Sequence, residues 1–103
     1  MDVIVTDSFL AANAAFDRAN EALLDAIEAA QYVLREIRAY PNATCFDEPP
    51  IAAGTSRRFP AAQWPSPAQL NALIAARCER LAAAQDAWTA LTDSEQAEHK
   101  RPA

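Results

Sequence analysis

The sequence predicts an all-α protein: an elongated antiparallel hairpin of two long helices, with a long, ordered, Pro-rich connection and a short C-terminal helix. Three observations point there. Alanine supplies 26 of the 103 residues, and alanine has the highest intrinsic helix propensity. The seven prolines and the single glycine avoid two long stretches, since 7–40 holds neither and 66–91 holds only Pro67. Within both stretches the apolar residues recur at helical spacing.

The first helix is expected over about 7–40. Thr6, Asp7 and Ser8 offer three N-caps in a row, preceded by Val3, Ile4 and Val5 as a short extended lead-in. Phe9, Phe16, Leu23, Ala30 and Ile37 are seven apart. Ala12, Ala19, Ala26, Val33 and Tyr40 follow three later, and Asn13, Asn20, Ile27 and Leu34 four later. Together they form one stripe, rich in small residues that let a partner helix come close. Asn13 and Asn20 interrupt it and mark where the helix would break if the chain folded as a compact bundle. Pro41 should end the helix, because the residue before a proline avoids the α conformation.

The connection over 41–65 carries Pro41, Pro49, Pro50, Pro60, Pro65 and Gly54. It is long for a structureless loop in a compact domain. Cys45, Phe46, Ile51, Phe59 and Trp64 are spaced along it like anchors, so it is expected to be ordered against the helices or a partner. The second helix is expected over about 66–91. Ser66-Pro67-Ala68-Gln69 has a cap, a proline at the first helical position and a glutamine that can return the cap's hydrogen bond. Its expected inner side is Leu70, Leu73, Ile74, Arg77, Cys78, Leu81, Ala84, Gln85, Trp88 and Leu91. Thr92-Asp93-Ser94-Glu95 repeats the capping box and starts a short helix over about 93–99. The whole chain, 1–103, reads as a single helical domain.

Thirty-three helical residues span about 50 Å, whereas a compact domain of this size has a radius of gyration near 13 Å. Two helices this long bury one stripe each. Leu10, Leu24 and Leu73 lie beside the stripes, so apolar surface is left for the loop aromatics and for a second copy or another protein.

Composition excludes several classes. Only 27 apolar residues larger than alanine remain for a core, and no apolar run approaches a membrane span. No basic segment followed by an apolar stretch opens the chain, so no secretory signal is expected. The location implied is cytoplasmic, or within a virion if the chain is phage-encoded. Net charge is −5, and the bases are scattered except at Arg57-Arg58 and His99-Lys100-Arg101. Direct nucleic-acid binding is therefore not expected. Asp17, Glu21, Asp25 and Glu28 run along one helix side, a solvated face in the simplest reading and a nucleic-acid mimic in the sharper one.

Catalytic patterns are missing. One glycine cannot build a phosphate cradle, and no GxSxG nucleophile turn is present. Two cysteines and one histidine fall short of a four-ligand zinc site. No Glu is followed three residues later by His, so a di-iron pattern fails. His99 lies in a terminal tail with nothing evident to orient it. Asn42-Ala43-Thr44 matches a glycosylation acceptor only by pattern. Cys78, on the expected stripe, reads as a small buried hydrophobe. The expectation is no enzyme, no cofactor, no metal and no small-molecule substrate.

What remains is recognition. Arg57 and Arg58 beside Phe59 suit a partner's phosphate or carboxylate, with solubilisation of an apolar loop as the plainer role. Trp64, between prolines, suits an interface hot spot. The candidate partner-binding residues are Phe46, Ile51, Arg57, Arg58, Phe59 and Trp64. The function expected is a non-catalytic structural or interaction subunit, such as a virion component or an accessory subunit of a multiprotein complex. Its partner would be another protein or its own copies. The alternative is a small acidic regulator that blocks a nucleic-acid-processing enzyme.

Overall fold

A computed structural model describes residues 3–103. Along the chain run α1 (Val3–Ala39), β1 (Thr44–Phe46), β2 (Arg57–Phe59), one 3₁₀ turn (Ala61–Gln63), α2 (Pro67–Thr89) and α3 (Asp93–Ala97). The protein is predominantly helical, with two long helices, a long connection and a short C-terminal helix. It divides into two compact units, one of 1–23 with 71–103 and the other of 24–70.

In the first unit the beginning of α1 packs antiparallel on α2. Phe9 lies against Trp88, ring centroids 5.6 Å apart. Eleven residues later Asn20 accepts a 2.7 Å hydrogen bond from Nε of Arg77, so position rises along one helix as it falls along the other. Phe9, Phe16, Ala84 and Leu91 are buried, and Ala84 is fully so. A methyl group there lets the helices approach closely. Asn20 does not break the helix. Its amide pairs with Arg77, whose guanidinium also lies 5.2 Å from the centre of the Phe16 ring.

α1 starts earlier than its cap signals suggest. Val3–Val5 are helical rather than extended, while Met1 and Asp2 lie outside the described residues. The Thr6 hydroxyl is not a cap, because it donates to Oε2 of Glu95 at 2.6 Å. Glu95 also closes the α3 capping box. Its Oε1 accepts from the Thr92 backbone at 2.9 Å, and its own N–H donates to the Thr92 hydroxyl at 3.2 Å. One buried carboxylate thereby joins three points of this unit.

The inner side of α2 is narrower than its composition suggests. Leu70, Arg77 and Ala84 recur every seven residues and turn inward, with Leu73, Leu81 and Trp88 beside them, and Leu91, just past the helix, is buried in the same series. Cys78 and Gln85 each follow an inward residue by one position, about 100° further round the helix. Both are exposed. The expectation of a buried Cys78 is therefore corrected: a seam of two helices covers only its a and d positions.

In the second unit α1 ends at Ala39, one residue before the boundary read from Pro41. The Tyr40 carbonyl accepts from the N–H groups of Ala43 and Thr44, both at 3.1 Å, which turns the chain into β1. The connection is not irregular throughout, because β1 and β2 pair in parallel. Thr44 is in register with Arg57, Cys45 with Arg58 and Phe46 with Phe59. Strands of three residues hold too few positions for their alternation to be recognised in the sequence. Between them the buried Thr55 donates to the Ala52 carbonyl at 2.7 Å and accepts from the Cys45 thiol at 3.2 Å. Gly54, with φ of +86°, supplies the left-handed backbone that this turn needs. Ser66 and Gln69 form the expected reciprocal cap of α2, at 2.8 and 3.1 Å.

Candidate interaction surface

The loop residues divide into those used inside the second unit and those left at its surface. Arg57 belongs to the first group. Its Nη2 lies 2.6 Å from Oε2 of Glu36, and its guanidinium is stacked 4.2 Å above the Tyr40 ring. A carboxylate in the last turns of α1 and the aromatic face just past its end hold it, so much of its charge is met within the chain. Phe59 is half-buried and edge-on to Tyr32, with 5.9 Å between centroids. These two side chains attach β2 to α1.

Phe46, Trp64, Ile51 and Arg58 form the second group. Phe46 and Trp64 meet edge to face at 5.5 Å. With Glu48 and Ala61 they line a groove of about 100 Å³. Proline flanks Trp64 at Pro65, and the 3₁₀ turn after Pro60 leads into it, so the indole is held on a stiff backbone. Ile51 is exposed between the strands in sequence, and Arg58 is exposed where its neighbours in β2 are half-buried. Alternation along the strand is the cause: Arg57 and Phe59 face α1, so Arg58 faces away.

A second surface, not singled out from the sequence, lies on α1. Leu24, Ile27 and Leu34 are exposed. Ala30, Val33 and Ile37, on the other flank of the same turns, are inward. Spacing from Asn13 and Asn20 predicts Ile27 and Leu34 in the inner stripe, and the structure exposes both. In the first unit all three seven-residue series do turn inward. In the second, Ala26, Ala30, Val33 and Ile37 turn inward while Ile27, Leu34 and Tyr40, expected in the stripe, are exposed, because β2 meets α1 at Tyr32 and Glu36. The signal in the sequence was the stripe's width: three apolar series are more than one partner helix covers. Gln31, Leu34, Arg35 and Arg38 line an open groove of about 360 Å³ on this face.

A third concavity, of about 330 Å³, lies in the first unit where the tail of Lys100, Arg101, Pro102 and Ala103 passes Asn13, Phe16, Asp17 and Asn20. Pro102 is buried there, and His99 rests on the Phe9 ring at 5.4 Å. The tail is thus packed, and His99 has an aromatic neighbour.

Among titratable groups, Glu95 stands out. The Thr6 hydroxyl, followed by the Thr92 amide and hydroxyl, holds its carboxyl at about 2, well below the ordinary 4.5. Hydrogen bonds to the charged form are the cause. These groups belong to the first turn of α1 and the cap of α3, so the shift serves the fold. Cys45 and Cys78 are both free thiols. Among the described residues no three His, Cys, Asp or Glu side chains cluster as a metal site, and no helix is long and apolar enough to cross a membrane. Comparison of the chain with protein-family models, curated proteins and solved structures finds no match in any of the three.

Proposed function

We propose that this protein is a non-catalytic structural or interaction subunit of a larger assembly, such as a virion component or an accessory subunit of a multiprotein complex. The observation that carries the reading is apolar surface left open by the chain's own elements. Leu24, Leu34, Ile51 and Ile74 are 46, 53, 38 and 44% exposed. Among the described residues the buried side chains of the hydrophobic core are Phe9, Phe16, Val33, Ala84 and Leu91. A chain with so thin a core gains by burying the rest against another protein. The Phe46–Trp64 groove, with Ile51 and Arg58 nearby, has the aromatic and arginine composition in which binding energy concentrates.

The test is affinity purification from the source cells with wild type and with Phe46→Ala/Trp64→Ala, identifying retained proteins and cross-linked residues. The reading expects a defined partner or assembly with wild type, cross-linked at the loop, and its loss with the double variant. Equal recovery with both chains, or none with either, refutes it. The regulator reading draws on the exposure of Asp17, Glu21, Asp25 and Glu28. It predicts the opposite pattern, in which charge reversal at those four positions abolishes binding and the loop variant is silent.

A further inference from the structure

We infer that the groove between Phe46 and Trp64 takes the alkylammonium head of a methylated lysine on a partner protein. This rests on the reading of the protein as an interaction subunit and names the chemistry its partner presents. The two rings meet at 75°, with 5.5 Å between centroids. They form a corner rather than a stack, and Glu48 and Ala61 complete a groove of about 100 Å³. An aromatic face carries partial negative charge, so aromatic walls beside a carboxylate favour a cation. Among the described residues no base lines the groove, and Arg58, in register with Cys45, is not part of its wall. Nor does the chain fill the site itself. Among the described residues the stacked cations are Arg57 on Tyr40 and Arg77 on Phe16, and the ion pair is Arg57–Glu36. Glu48 is exposed, and its carboxylate has no cation of its own.

Size and hydration select the cation. A groove of about 100 Å³ has room for several water molecules, more than a bare ammonium fills. A bare ammonium is also strongly hydrated, and ring faces replace its lost water bonds poorly. Methylation keeps the charge and covers it with apolar methyl groups, which suits aromatic walls beside a carboxylate. The groove is far smaller than the roughly 300–1,000 Å³ that encloses a free small molecule, so it holds a head and leaves the rest of the ligand outside. A lysine on a protein meets that condition, because the protein adds contact around the groove. A choline lipid offers the same head. However, Asp47 and Glu48 at the site and a net charge of −5 oppose approach to an anionic membrane surface.

The test is heteronuclear NMR of the full chain, following the Trp64 indole with Trp88 as the reference within the chain. Three probes are titrated at constant ionic strength: N-acetyl-trimethyllysine amide, N-acetyl-lysine amide, and a neutral analogue with a tert-butyl group in place of the trimethylammonium. The trimethyllysine probe should shift the Trp64 resonance saturably and leave Trp88 in place. It should bind at least about threefold tighter than the neutral analogue, and tighter than unmethylated lysine. Glu48→Gln should weaken it about two- to fivefold and leave the neutral analogue unaffected. The fold of that variant should be unchanged, since Glu48 is exposed and outside the ion pair. Trp64→Ala should abolish binding. No saturable shift, equal binding of the neutral analogue, or equal binding of unmethylated lysine overturns the inference. So does flotation with phosphatidylcholine vesicles that is lost in Glu48→Gln, which gives the groove to a lipid head. The assembly-subunit reading fails separately, when Phe46→Ala/Trp64→Ala retains the same cell proteins as wild type.

Discussion

Phe9→Ala probes the part of the fold on which the first unit depends. Phe9 is 1% exposed and its ring lies 5.6 Å from Trp88 and 5.4 Å from His99. Truncating a buried phenylalanine costs about 3–5 kcal/mol, part lost transfer energy and part the cavity left behind. The aromatic contacts, worth about 0.5–1.5 kcal/mol beyond area, put this site in the upper half of that range. A domain of this size has roughly 5–15 kcal/mol of total stability. The variant should therefore lose about a third or more of it. Each kcal/mol shifts Tm by about 4–8 °C in a domain of up to 100 residues, so a fall of at least roughly 15 °C is expected. Urea denaturation followed by far-UV circular dichroism, with the chain held at one concentration, measures the free-energy loss, and a thermal scan on the same signal measures the fall in Tm. Leu10→Ala, one position further along α1 and 47% exposed, is the internal control and should cost under about 1 kcal/mol. A loss below about 1 kcal/mol for Phe9→Ala, or equal losses for the two variants, would refute the packing argument for this unit.

Further outcomes follow from single residues. Ala84 is fully buried, so Ala84→Leu should destabilise by about 1–3 kcal/mol or more through overpacking, read as a lower urea midpoint. Glu95 has its carboxyl held at about 2 in place of 4.5. The folded state therefore favours the charged form, and this stabilisation is fully present above pH 4.5 and lost as pH falls from 4.5 towards 2. Wild type should lose Tm across that window more steeply than Glu95→Gln, and parallel curves would contradict the hydrogen-bond geometry. Cys78 is exposed whereas Cys45 is half-buried and donates to Thr55. A chromogenic disulfide reagent should label Cys78 first in the native chain, and faster labelling of Cys45 would mean that the Cys45–Thr55 loop opens in solution.

Much of the helical architecture was legible from local chemistry. Ser66 and Gln69 signal the start of α2 because a cap and its return bond are made within four residues. Thr92 and Glu95 do the same for α3. Pro41 stops α1 through its effect on the residue before it. The two strands were not legible. Their pairing joins residues thirteen apart in parallel, with no hairpin turn to announce it, and each is only three residues long. Thr6 misled in a specific way: it looks like a cap locally, but its hydroxyl is taken by a carboxylate 89 positions away.

The candidate surface shows the same division. Composition alone marked Phe46, Ile51, Arg57, Arg58, Phe59 and Trp64 as an unusual set for a loop. It could not say that Arg57 would be held by Glu36 and Tyr40 while Arg58 points outward, since that depends on which face of β2 meets α1. Nor could the heptad spacing say whether Ile27 and Leu34 are inside or outside. By itself the sequence determined what neighbours along the chain can settle: where helices begin, where they end, and which residues share a side. Tertiary structure decided which of those sides meets a partner. A helix offers its whole circumference, and only the width and position of what packs against it divide core from surface.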